Sequence, residues 1–168
     1  SETSFQFTDR GEFVDVICPW GNRFRCHPPE RAPDAPQLAM PYVEFDVPKG
    51  AAAGIAAFYR KVFGAAATVD GKGKAPAARV AVGIAQELVF RETTGALPDY
   101  DGHHIQIYVA DFSGPYRRLS KRGLVSEDVE QHQYRFQDIV DPDSGRVLAT
   151  LEHEVRSMRH PLYARPLV

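Results

Sequence analysis

Cysteine is scarce in this chain of 168 residues, which has two, Cys18 and Cys26. They flank the turn-forming run Pro19-Trp20-Gly21-Asn22. If strands meet across that turn, Cys26 lies too far along its strand to face Cys18, so a disulfide is not expected. Free thiols fit a reducing compartment. An excess of either charge is also missing. A formal net charge of −2 and a pI near 6.3 lack the basic footprint of a nucleic-acid surface. The one dense basic run, Arg117-Arg118-Leu119-Ser120-Lys121-Arg122, reads as the solvated face of a helix. No apolar run approaches the length needed to cross a bilayer, and no signal peptide opens the chain. The default expectation is therefore a cytoplasmic protein with neither nucleic acid nor membrane as partner. The chain starts at Ser1 and runs directly into Phe5-Gln6-Phe7, which suggests a processed or trimmed N-terminus.

What is present is repetition. In His104-Ile105-Gln106-Ile107-Tyr108-Val109, apolar and polar residues alternate with the period of a strand that has one apolar and one polar face. Sixty-two residues upstream, Tyr42-Val43-Glu44-Phe45-Asp46-Val47 has the same design. A helix is expected over Ala51 to Phe63, where Ile55, Phe58, Tyr59 and Val62 form an i, i+3, i+4, i+7 stripe and Gly64 stands at the C-cap. A shorter helix is expected after Asp111, with Ser113 as N-cap, ending near Gly123. Phe136 to Gly145 echoes Phe13 to Gly21, each ending in a Pro- and Gly-containing turn.

These matches define a unit of about sixty residues in the order strand, helix, strand, strand, strand. The expected organisation is closing strands of an incomplete unit over 1–30, a linker over 31–37, full βαβββ modules over 38–95 and 96–155, and a tail over 156–168. Within 5–27 two strands are expected, Phe13 to Ile17 and Arg23 to Cys26. Ser126 to Glu130 reads as an acidic link, and His153, between Glu152 and Glu154, as part of a solvated edge strand. Asp141 and Asp143 sit in a plain β-turn, since Pro142 and the absence of later ligands exclude a calcium loop.

A tandem βαβββ unit, with Asp141-Pro142-x-x-Gly145 before its last strand and a His104-apolar-x-apolar-x-Val109-x-Asp111 first strand, resembles the vicinal oxygen chelate superfamily. That superfamily includes glyoxalases, bleomycin-resistance proteins and extradiol dioxygenases. The resemblance implies an α+β fold whose paired modules form a curved, cup-like mixed sheet with helices outside. It also implies a divalent metal (Fe, Mn, Ni or Zn) acting as a Lewis acid on a small molecule, in a lyase, isomerase or dioxygenase. Carried over position by position, His104 and Glu87 match metal ligands, while Tyr42 and Ala149, or Thr150 with a shifted register, stand where further ligands belong. Glu44 or Glu152 could substitute. Glu44 and Tyr42 are then the proton-transfer candidates, and Gln106, Tyr108 and Arg25 the substrate contacts. The missing ligands leave a metal-free, bleomycin-resistance-like binding protein as the alternative. The incomplete first unit predicts a homodimer.

Overall fold

The computed structural model describes residues 4–29, 39–71, 75–129 and 132–165. It divides into two compact units, Ser1–Met40 and Pro41–Val168. The expected linker at 31–37 lies outside the described residues.

The first unit is an antiparallel meander of three short strands, β1 (Gln6–Asp9), β2 (Val14–Ile17) and β3 (Arg23–Cys26), with β2 in the middle. The sequence predicts two strands here, and β1 is the addition. Its Phe5-Gln6-Phe7 alternation is too short to stand out, yet a turn with Gly11 at φ 85° returns the chain so that Phe7 pairs with Val16. Cys18 and Cys26 are both free.

The second unit repeats one order twice. Its elements are β4 (Tyr42–Pro48), α1 (Ala52–Phe63), β5 (Ala67–Asp70), β6 (Ala77–Gly83) and β7 (Gln86–Thr93). Then follow β8 (His104–Val109), α2 (Ser113–Ser120), β9 (Val125–Val129), β10 (Gln133–Val140) and β11 (Val147–Ser157). Each module makes a four-stranded mixed sheet, ordered β4-β7-β6-β5 and β8-β11-β10-β9, in which the first and last strands run parallel. The architecture is α+β with tandem βαβββ modules.

Two expectations need correction. The acidic stretch from Ser126 is strand β9, an edge strand on which charge guards against unwanted pairing. β11 is no edge either: it lies between β8 and β10.

Helix α1 forms where the apolar stripe predicts it, burying Ile55, Phe58, Tyr59 and Val62 and ending at Gly64 in the left-handed conformation. Its N-terminus has no side-chain cap of its own. Instead the Glu92 carboxylate of β7 accepts the Ala52 N–H at 2.9 Å, putting negative charge at the positive end of the helix. In α2 Ser113 is not the cap, because the Asp111 carboxylate takes the Gly114 N–H at 2.9 Å. Phe58 and Tyr59 of α1 reach both sheets: Phe58 lies 5.9 Å from Phe136 of β10, and Tyr59 lies 5.6 Å from Phe90 of β7. One apolar core thus holds both modules together, with the apolar face of each sheet turned to it. Among the described residues no helix is long and apolar enough to cross a membrane.

Candidate functional site: two polar sheet faces

Strand alternation leaves each sheet with a second, polar face. In the first module the parallel register sets Tyr42 beside Glu87 and Asp46 beside Arg91. In the second it sets His104 beside Glu152, Gln106 beside Glu154 and Tyr108 beside Arg156. The antiparallel partners complete the faces, with Arg79 opposite Val89 and Arg135 opposite Glu154. The two modules therefore correspond position for position: Tyr42 with His104, Glu87 with Glu152, Arg91 with Arg156, and Arg79 with Arg135.

The last-strand partner of His104 is Glu152 rather than Ala149 or Thr150. Register shifts between Phe136 and Asp138 and between Ile139 and Val140 move the later strand relative to its turn, so that counting from Gly145 falls short. Thr150 instead hydrogen-bonds Asp138.

Every carboxylate expected to act at the site has an arginine on it. Arg91 grips Glu44 through two parallel N–H···O bonds, both 2.8 Å. Arg79 donates to Glu87 at 2.8 Å and to Asp70 at 2.6 Å. Arg135 donates to Glu152 at 3.1 Å and to Glu154 at 2.9 Å. Arg156 pairs with Glu154 as well, and donates to Gln133 at 2.8 Å and to the Tyr108 hydroxyl at 3.4 Å. The hydrogen bonds from Arg91 hold the Glu44 carboxyl below the usual carboxylate range, so Glu44 is an ionised, weakly basic group.

Tyr42 and His104 are exposed at the starts of their strands, beside Glu87 and Glu152 respectively. Gln106 is exposed and Tyr108 is half-buried, with Tyr163 of the C-terminal segment 5.2 Å from its ring. Arg25 belongs to the N-terminal unit, where it pairs with Asp15 at 3.2 Å and lies 4.3 Å above the Phe13 ring.

This donor set does not fit a divalent metal as it stands. Among the described residues no three of His, Cys, Asp and Glu gather as a ligand group. Tyr42 stands where a ligand was expected, and Arg79 and Arg135 already pair their charge with the Glu87 and Glu152 carboxylates, against which a cation would have to compete.

His153 was expected at a solvated edge and is instead fully buried, on the apolar face of β11 with Leu151 and Val155. Its Nδ1 donates to the Leu151 carbonyl at 2.6 Å, since a carbonyl can only accept. That leaves Nε2 to accept the Tyr59 hydroxyl at 2.5 Å. The ring stacks on Phe136 at 4.2 Å. Burial pushes the His153 pKa down to about 4 and the Tyr59 phenol well above its usual value. His153 therefore serves as a neutral bridge between α1 and β11, part of the scaffold and not of the site.

The paired βαβββ arrangement is similar in fold to solved structures of a glyoxalase family protein and of a fosfomycin resistance protein. A glyoxalase family protein from Bacillus anthracis is 20% identical, with a TM-score of 0.52 over 71% of this chain and 94% of that one. The fosfomycin resistance protein FosX from Listeria monocytogenes is 14% identical, with a TM-score of 0.50 over 71% and 90%. No protein-family model and no curated protein matches the sequence.

Proposed function

We propose that residues 41–168 bind a small organic molecule on the polar faces of the two sheets without a metal ion. The observation that carries this reading is the arginine pairing of Glu44, Glu87 and Glu152, which turns the expected ligands into an array of alternating charge. Such an array offers oriented donors and acceptors to a polar ligand, and Tyr42 and Tyr108 offer ring faces to an aromatic part of it. Gln106 and His104 supply further hydrogen bonds from β8. Glu44 is too well held by Arg91 to be a strong base, so Tyr42 is the better candidate for proton transfer if the ligand is turned over. The N-terminal meander is read as the closing strands of an incomplete module, as its strand order matches that of β5, β6 and β7.

A metal-dependent glyoxalase- or dioxygenase-like enzyme is the second reading, favoured by His104 standing in register with Glu152. The two separate in a thermal-shift panel of small aromatic compounds run with and without a chelator. The proposal expects stabilising compounds whose effect survives chelation, because a ligand that binds the native state raises the midpoint whatever the chemistry. Stabilisation that vanishes with the chelator would favour the metal enzyme.

A further inference from the structure

The polar face of the second module ends under its own chain. Beyond Ser157 the chain turns twice in succession: the His160 N–H donates to the Ser157 carbonyl at 2.8 Å, and the Tyr163 N–H to the His160 carbonyl at 2.9 Å. These turns set Tyr163 against Tyr108, with the two rings 5.2 Å apart and tilted by 55°. His160 lies 6.3 Å from the same ring. The first module has no such ring at this position, because Asp46 stands beside Arg91 where Tyr108 stands beside Arg156.

Little else holds this segment down. Among the described residues the hydrogen bonds of 158–165 all run within 157–165, including Arg159 N–H to Ser157 Oγ and Leu162 N–H to His160 Nδ1, both 3.1 Å. Met158, Leu162 and Tyr163 all remain exposed. A segment with local hydrogen bonds and few buried apolar contacts opens at low cost. Tyr108, by contrast, is held from beneath: Arg156, itself nearly closed off in its pair with Glu154, donates to the Tyr108 hydroxyl at 3.4 Å. A loosely held ring therefore rests on a fixed one.

We propose that Tyr108 is a subsite for a phenol ring, filled here by the chain's own Tyr163, and that residues 158–165 are a plug which a ligand displaces. Tyr163 marks the ligand class, since tilted rings at this distance attract each other whichever molecule supplies the second one. The subsite is preformed, because the pair of Arg156 with Glu154 stays in place when Tyr163 leaves. A free phenol competes with the tethered one, so its apparent affinity falls with the fraction of time the plug is open. A plug closed about nine-tenths of the time weakens binding about tenfold. This inference rests on the reading that the polar faces bind a small molecule, and adds where its ring docks and what it expels.

The test uses p-cresol, which is the tyrosine side chain as a free molecule. It is titrated by ligand-observed NMR into the whole chain as wild type, Tyr163→Ala, Leu162→Ala and the double variant Tyr108→Leu/Tyr163→Ala. Tyr163→Ala should bind it about tenfold more tightly than the wild type, Leu162→Ala as the wild type does, and the double variant no better than the wild type. Leu162 adjoins Tyr163 and is similarly exposed, so a gain confined to Tyr163→Ala reads the ring and not a loosened tail. Equal affinity in the wild type and Tyr163→Ala, including no binding by either, would overturn the inference. So would a gain that persists in the double variant or is shared by Leu162→Ala. Stabilisation of the wild type by other aromatic compounds is read separately, so the subsite can fail while metal-free binding stands.

Discussion

The polar faces of the two modules share one plan and differ in depth. Each has a Glu opposite the first residue of its first strand, an Arg four residues further along the last strand, and another Arg on the strand before it. In the first module these groups stay near water: the side chains of Glu87, Arg79 and Arg91 are 41%, 37% and 36% exposed, and Glu44 on Arg91 is 36% exposed. In the second, the additional Glu154 stands where the first module has Val89, and it draws Arg135 and Arg156 into a network in which Glu154 is only 6% and Arg156 13% exposed. The same charges are therefore surface ion pairs on one sheet and a buried scaffold on the other. Screened pairs stay adaptable, whereas a buried network must remain complete. The first face is accordingly the one free to rearrange around a ligand.

The contrast is broken most severely at Glu154. Glu154→Gln leaves Arg156 without its carboxylate in a nearly closed site, and a cost of about 3 kcal/mol is expected. That should lower the thermal midpoint by about 10 °C, readable by calorimetry.

Next in size is the buried His153. Its folded pKa lies near 4 against 6.5 for an ordinary histidine, so between those values the unfolded chain binds the extra proton. Stability is full above pH 6.5, falls as the pH drops toward 4, and by then about 3 kcal/mol is lost at most. Denaturant midpoints at pH 7 and 4.5 should differ less in His153→Gln than in the wild type. An equal pH dependence in both would mean that His153 does not contribute it.

The smallest effect belongs to the first face. Glu44→Gln should cost under about 1 kcal/mol, because its pair with Arg91 is solvent-screened. A loss as large as that from Glu154→Gln would erase the distinction between the modules.

Much of this was legible in the sequence, for reasons that also explain the rest. Period-two alternation marked β4 and β8, and the stripe from Ile55 to Val62 marked α1, because burial on one side imposes a period that survives in the residues. β9 was hidden because an edge strand needs no apolar face. His153 was misplaced because its charged neighbours drew attention, although it shares parity with Leu151 and Val155 and so with the apolar side. Tyr42, Glu44, Glu87, His104, Gln106 and Tyr108 do lie on the polar faces, but their arginine partners went unread. A signal for two of these was available: Glu87-Leu-Val-Phe-Arg91 and Glu152-His-Glu-Val-Arg156 repeat a Glu and an Arg at the same spacing. The pairing of Glu152 with His104 was obscured by the irregularities in β10 and β11, which no residue count reveals.

The central claim is that arginines hold the carboxylates a metal would need. It is tested most directly by titrating Mn²⁺ and Ni²⁺ calorimetrically into the purified, chelator-treated wild type and an Arg79→Ala/Arg135→Ala variant. The account predicts no binding near stoichiometry in the wild type, and measurable binding once Glu87 and Glu152 are released. Stoichiometric binding by the wild type, abolished by His104→Ala, would contradict it.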